Sequence, residues 1–199
     1  MAPRAYDNTT RQRQQAELKS QITAAAAELH AVHGLLGTSY AQIAQRTGVS
    51  VPTVYKHFPT LNDLAQACTS HAATLAPPMP AARIEAAESL EAAVHLLVDA
   101  MDRVNAFYAP WLVWTEDRRV PAVAATLERE RRALTDLCGR ILQLWAGEPD
   151  RDSAKVWAAL LGFDFWNSML RDHKMSRRAL RDRLARLLLG ASAPSKARR

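Results

Sequence analysis

Between positions 39 and 57 the chain gathers hydroxyl, phenol, ammonium and imidazole side chains: Ser39, Tyr40, Ser50, Thr53, Tyr55, Lys56 and His57, with Val51 among them. Groups of this kind donate hydrogen bonds to phosphate oxygens, and the methyl groups of Val51 and Thr53 can meet a thymine methyl. The chemistry they suit is non-covalent recognition of duplex DNA.

That use requires short helices that present the groups together. Residues 38–64 read TSYAQIAQRTGVSVPTVYKHFPTLNDL. Ser39 can cap a first helix, and Gln42, three residues on, can reach back to it in a capping box. Gly48 can take the left-handed backbone that ends a helix. Ser50 caps a second helix, and Pro52 sits in its first turn, where a missing N–H costs nothing. Thr60 to Asp63 supply a third cap. Ile43, Ala44, Val49, Val54 and Phe58 read as the buried side. Two short helices with a glycine-bearing turn form a helix-turn-helix, whose second helix enters the major groove. The reading helix is predicted over about 51–57, with Val51 and Thr53 toward base edges and Tyr55, Lys56 and His57 toward phosphates. Ser39 and Tyr40 open the preceding helix and can place N–H and hydroxyl groups on phosphate. A helix-turn-helix used only for packing is the alternative.

The pattern extends upstream. Ile22, Ala25, Ala26 and Leu29 make one helical face, and Gly34 stops that helix. With Ile43-Ala44, Thr47-Gly48-Val49-Ser50 and Tyr55-Lys56-His57-Phe58, the run over about 19–67 resembles the TetR family of bacterial transcriptional regulators. The resemblance implies a three-helix DNA-binding head, a helical body for ligand binding and dimerisation, release of DNA when ligand binds, and a backbone contact by Tyr55. Three positions depart from the family pattern. An aromatic is common where this chain has His30, and Gly is more frequent at Pro52. At Leu61 a phosphate-contacting Lys is common, so one backbone contact is missing.

The formal charge of +6 over 199 residues suits a polyanionic partner, yet its distribution is uneven. Residues 1–70 carry six Lys/Arg against four Asp/Glu, while residues 171–199 carry ten against two. The excess lies in the C-terminal tail, so charge alone does not find the reading helix. Cys68 and Cys138 sit inside helical patterns, without the spacing of a disulfide framework or a metal cluster. No apolar run approaches the roughly 18 residues of a membrane span, and residues 1–15 lack the apolar core of a signal peptide. The expected location is cytoplasmic.

Helical periodicity runs through the rest, and no segment alternates like a strand. The fold class is all-α: a helix-turn-helix head over 10–76 and a helical-bundle body over 81–190, divided at Pro77-Pro78-Met79-Pro80. Residues 1–8 and the tail APSKARR read as disordered. The head begins with a helix over 10–33 and ends with one over 61–75. In the body, a helix carrying Leu90, Val94, Leu97, Met101, Val104 and Tyr108 is interrupted by Pro110. A short helix or turn covers 111–117, and Pro121 opens a long helix whose Glu128–Arg132 run is a solvated face. Residues 147–150 form a loop. A helix over 155–170 is apolar on most of its circumference. Ser176 caps a last helix with a narrow stripe of Leu180, Leu184, Leu187 and Leu188; the last two helices, about 155–171 and 177–189, are predicted to form a homodimer contact.

All five tryptophans lie beyond position 110. Met101, Asn105, Tyr108, Trp111 and Trp114 would surround an opening made by the helix break, and Phe163, Asp164 and Trp166 would complete a site for a small-molecule effector. Core packing is the commoner use of such aromatics. Asp164, Asn167, Ser168 and Arg171 make a polar strip that suits either a hydrogen-bonding set or a wet edge. His95, Asp99 and Asp102 share a face better read as solvated than as metal-binding. No nucleophile elbow, P-loop, zinc-protease helix or dinucleotide fingerprint is present, so no catalysis, cofactor or metal is expected. The sequence therefore points to an operator-binding, effector-responsive dimer. Its rivals are a DNA-binding structural or co-regulatory protein without a ligand, and an enzyme on a helical scaffold.

Overall fold

In the computed structural model of the chain, residues 8–146 and 151–191 are described. The expected loop at 147–150 and tail at 193–199 lie outside them, as does all but the last residue of the N-terminal segment 1–8. Regular structure among the described residues is helical throughout: α1 (Asn8–His33), α2 (Tyr40–Thr47), α3 (Val51–His57), α4 (Leu61–Leu75), α5 (Ala81–Glu85), α6 (Leu90–Leu112), a 3-10 helix (Thr115–Arg119), α7 (Pro121–Ala146), α8 (Arg151–Leu161), α9 (Phe163–Arg171) and α10 (Arg177–Ala191). No helix among them is long and apolar enough to cross a membrane.

The chain divides into two compact units. The first runs to Leu75 and adds Val113–Ala125; the second comprises Ala76–Leu112 and the chain from Thr126 on. Periodicity alone assigns 113–125 to the body, but its contacts group it with the head. The reason is local. Gly34 ends α1 at φ 75°, and the Trp114 indole lies 3.1 Å from where a Cβ would stand, so a side chain there would be both strained and crowded. Asp117 is buried and accepts hydrogen bonds from the N–H groups of Leu35 (2.6 Å) and Leu36 (3.0 Å), just past the end of α1. Asn62 accepts from the N–H of Ala122 at 2.8 Å, and Val120 packs with Leu35 and Ala65.

The core of the first unit joins Ile22, Ala26 and Ala27 of α1 to Ile43 and Ala44 of α2, Val54 and Phe58 of the α3 region, and Leu64 and Cys68 of α4. Val49 packs against it, half-buried. The second core is larger and includes Val94, Leu97, Val98, Ile141, Trp157 and Leu161. Burial pushes the thiols of Cys68 and Cys138 up to about 12, which keeps both protonated and unreactive.

Several expectations for the second unit need correction. Pro110 does not end α6, which continues to Leu112. It costs the ladder the one bond its N–H would have made to the Ala106 carbonyl, and the helix closes two residues later. The helix expected over 155–170 is two helices. Gly162 separates them in extended backbone (φ −67°, ψ 160°), where a Cβ would press on the carbonyls of Ala158 and Ala159 at 3.3 Å. Asp102 is not solvated: its side chain is 2% exposed and binds Arg177 at 2.7 Å. The leucine stripe is largely internal. Leu180, Leu184 and Leu188 are 1%, 4% and 0% exposed within this one chain, and only Leu187, at 54%, faces outward. A glutamate at Leu184 or Leu188 would bury a carboxylate in the chain's own core, so it would report on folding rather than on association.

His30, where the family carries an aromatic, is 4% exposed, and its Nε2 has no hydrogen-bond partner. Burial lowers its pKa from 6.5 to about 4, against an opposing pull from the Asp117 carboxylate. The unfolded chain therefore takes up a proton near pH 6.5 that the folded chain refuses until about 4. Stability contributed by the neutral ring is complete above pH 6.5 and is lost as pH falls from 6.5 toward 4. The difference amounts to roughly 3 kcal/mol. His30→Phe should lack this loss, so urea unfolding at pH 7 and pH 4.5 should show the variant gaining on the parent as pH falls. Parallel curves would show that His30 does not titrate as described.

Candidate nucleic-acid interface

The α2–α3 motif is held by caps that the sequence specifies. The Ser39 hydroxyl accepts from the N–H of Gln42 at 3.2 Å, and the Gln42 side chain accepts from the Ser39 N–H at 2.7 Å, a reciprocal capping box. Gly48 ends α2 at φ 71°, and its N–H reaches the carbonyl of Ala44. No atom lies within 4 Å of where a Cβ would be built, so Gly48 is required by backbone conformation rather than by space. Ser50 opens α3, accepting from the Thr53 N–H at 3.3 Å, with Pro52 in the first turn. Thr60 and Asp63 cap α4 in the same reciprocal way, at 3.1 and 3.0 Å.

These caps already use several of the groups predicted to face DNA. The Ser39 hydroxyl also donates to Gln42 at 2.8 Å, so Ser39 is committed to its own helix. Tyr40 is half-buried. Its hydroxyl donates to the Phe58 carbonyl at 3.0 Å, and its ring lies 4.5 Å from that of Tyr55. It fastens the end of α3 to the start of α2. The hydroxyls of Ser50 and Thr53 are paired at 2.8 Å. Val51 and His57 are half-buried, whereas Ser50, Tyr55 and Lys56 are exposed, Tyr55 at 54%.

The electrostatics around α3 include a residue the motif does not contain. The pKa of His57 is lowered by partial burial first, then by the cations of Lys56 and Lys19. Lys19, from α1, also holds its ammonium 5.4 Å from the centre of the Phe58 ring. Lys19, Lys56 and His57 thus form one basic cluster, with the imidazole biased to its neutral form. Sequence reasoning misses Lys19 because it stands 38 residues before His57. The signal was its place one turn before Thr23 and Ile22, on a helix whose buried side is legible.

The residues proposed for a ligand do not stay together. Trp114 belongs to the first unit, with its indole on Gly34 and its N–H 3.5 Å from the Ala31 carbonyl. Met101, Asn105 and Trp166 are buried in the second. The Asn105 amide donates to the Leu161 carbonyl at 2.9 Å, and the Trp166 indole donates to Asp102 at 2.8 Å. Tyr108 and Trp111 remain half-buried beside Phe107, with Phe107 4.9 Å from Tyr108 and 5.7 Å from Trp111 between ring centres. Phe163 stacks near Trp166 at 6.0 Å, and Asp164 is exposed. Of the polar strip, Ser168 donates to Asp172 at 2.8 Å.

The family model described as bacterial regulatory proteins, tetR family, matches residues 22–68. No curated protein sequence matches the chain. Among solved structures, a TetR-like transcriptional regulator from Rhodococcus sp. RHA1 is 18% identical over 89% of this chain and 97% of its own, with a TM-score of 0.64. NalD of Pseudomonas aeruginosa, the secondary repressor of the MexAB-OprM multidrug efflux pump, is 20% identical over 89% and 97%, at 0.63. The fatty acid degradation regulator FadR of Bacillus halodurans is 19% identical over 91% and 97%, at 0.59. At these identities the likeness establishes the all-α fold.

Two substitutions separate the roles on α3. Thr53→Ala should relax sequence preference at one position by about 1–3 kcal/mol. Lys56→Ala should weaken all duplexes nearly equally and reduce the salt dependence by about one unit of slope. Titrations of the best and the scrambled duplex at several salt concentrations distinguish the two patterns. If the two patterns are exchanged, these residues have each other's roles.

Proposed function

We propose that this chain is a regulator of the tetR type, as the family-model match over residues 22–68 supports, and that it holds a palindromic operator as a homodimer and releases it when a mostly apolar small molecule binds. Its relatives regulate transcription and are not enzymes. The observation that carries the reading is the exposed side of α3, where Tyr55 and Lys56 stand beside Lys19 on a helix fixed at both ends by its caps. A basic, hydroxyl-bearing helix face of this kind suits a major groove flanked by phosphates. The reading places the protein in the cytoplasm, as a repressor.

Dimerisation rests on the outer faces of the last helices rather than on the leucine stripe as a whole. Val156 of α8 and Leu187 of α10 are 51% and 54% exposed, and each stands apart from the buried positions of its helix. Val156→Glu combined with Leu187→Glu should yield folded monomers, because neither position contributes to the core and a carboxylate is unfavourable in an apolar contact. Sedimentation paired with circular dichroism provides the check. A parent protein that is monomeric at micromolar concentration would remove both the dimer and the palindrome.

The effector reading rests on the half-buried trio Phe107, Tyr108 and Trp111. The relatives whose roles concern a drug efflux pump and fatty acid degradation make an apolar effector reasonable. A second reading, a regulator without a ligand, is favoured by a specific observation: Asn105 and Trp166 already have partners inside the protein. Selection from random duplexes should recover a palindrome that the parent binds well above scrambled DNA. Neutral apolar compounds that release it should quench or shift tryptophan emission, since Trp111, Trp145, Trp157 and Trp166 lie in the second unit. Linkage requires operator to weaken such a compound by the same factor, ordinarily about 1–3 kcal/mol. Equal affinity for random and selected DNA would remove the operator reading. Selection that succeeds, with no compound changing emission or melting, would leave the ligand-free regulator.

A further inference from the structure

We infer that Asp117, some 60 residues beyond the helix-turn-helix, is a positioning residue for DNA binding: its carboxylate sets the turn that aims α2 and α3. This rests on the reading of the chain as an operator-binding regulator. Asp117 Oδ2 accepts the Leu35 N–H at 2.6 Å and Oδ1 accepts the Leu36 N–H at 3.0 Å, so both oxygens clamp one turn. Two further residues lead to Thr38, whose hydroxyl donates to the Gly34 carbonyl at 2.7 Å, and Ser39 then caps α2. The path from the carboxylate to α2 therefore holds no unfastened residue longer than Gly37. Trp114 covers Gly34 on the same turn. At the other end of the segment, Asn62 near the start of α4 accepts the Ala122 N–H at 2.8 Å. Residues 113–125 thus grip both elements that flank the α2–α3 pair, the end of α1 and the start of α4. A carboxylate is suited to the turn because two adjacent N–H donors need two acceptor atoms in one plane.

Electrostatics supplies an opposite expectation, which makes the inference testable. Removing a negative charge from a DNA-binding unit should by itself strengthen binding to a polyanion. Asp117→Asn is nearly isosteric, yet it presents an NH2 to one of the two N–H donors and cannot clamp both. In the full-length protein, with the selected palindrome as probe, we expect operator affinity to fall tenfold or more, against the charge effect. The Lys56→Ala penalty should shrink in the Asp117→Asn background, because a misaimed α3 has already lost that phosphate contact. A residue that merely stabilises the fold would lower the folded fraction and leave the Lys56 penalty unchanged. The assignment is overturned if folded Asp117→Asn binds operator as well as or better than the parent, or if its loss multiplies independently with that of Lys56→Ala. If Asp117→Asn yields too little folded protein to titrate, the same cycle is run with Asp117→Glu, which keeps the charge but carries the two acceptor oxygens out of register with the Leu35 and Leu36 N–H groups, and the same two outcomes decide. Failure of the parent to prefer any selected duplex would instead remove the operator reading itself.

Discussion

Two backbone amides just past the end of α1, those of Leu35 and Leu36, take their acceptor from outside that helix. A helix end whose polar groups are buried without partners is costly. The acceptor comes from Asp117, 81 residues beyond Leu36. Hydrogen bonds to a charged group are among the stronger ones, about 1.5–3 kcal/mol each. The requirement propagates. Asp117 can reach only if 113–125 lies on the first unit, and Trp114 can cover the turn only if position 34 is a glycine. His30 is then buried beside the carboxylate with its ring neutral. The unit that carries the α2–α3 motif is therefore not a contiguous stretch of sequence. The chain enters its last segment from α6, which belongs to the second unit, and leaves through α7, which begins in the first and continues in the second.

The second unit repeats the device with a different balance of forces. Burial alone would raise the pKa of Asp102. Hydrogen bonds from Arg177 and Trp166, and the cations of Arg177 and Arg181, outweigh it and hold the group below the usual carboxylate range. One carboxylate so joins α6, α9 and α10. A pair of this kind contributes little net stability once desolvation is counted, but removing one partner leaves a buried charge. Its effect is to fix which side of α10 turns inward, and hence which leucines remain outside. By contrast, the Glu128–Arg131–Arg132 pairs on α7 lie at the surface, where such contacts are worth little.

The parts of the fold legible in the sequence are those set by short-range chemistry. Ser39, Ser50, Thr60 and Ser176 act within three residues of themselves, and each caps the helix expected of it. The buried side of the head, Ile22, Ala26, Ile43, Val54 and Phe58, follows from helical spacing. What was not legible depends on partners distant in sequence. A stripe of leucines at 180–188 looks the same whether it meets α6 of its own chain or another copy. Asp102 falls on a face with His95 and Asp99, and only Arg177, 75 residues on, shows that it is buried. Lys19 and Asp117 carry no local motif at all.

The same contrast bears on how the candidate interface could work. Ser39, Tyr40, Ser50 and Thr53 have the right chemistry for DNA, but each is already hydrogen-bonded within the first unit. A hydroxyl that leaves such a bond to contact a base or phosphate exchanges one hydrogen bond for another, and the net gain is small unless the first was poor. The Ser50–Thr53 pair lies at the exposed start of α3, where water already competes, so that exchange costs little. The Tyr40–Phe58 bond is half-buried and ties two helices together, so breaking it would loosen the motif that does the reading. The groups that can contribute affinity without such a loss are charged and exposed: Lys56 at the end of α3 and Lys19 beside it. Among the hydroxyls, that of Thr53, paired with Ser50 at 2.8 Å at the exposed start of α3, can change partner at the least cost. The caps that define the reading helix also determine which of its residues are able to read.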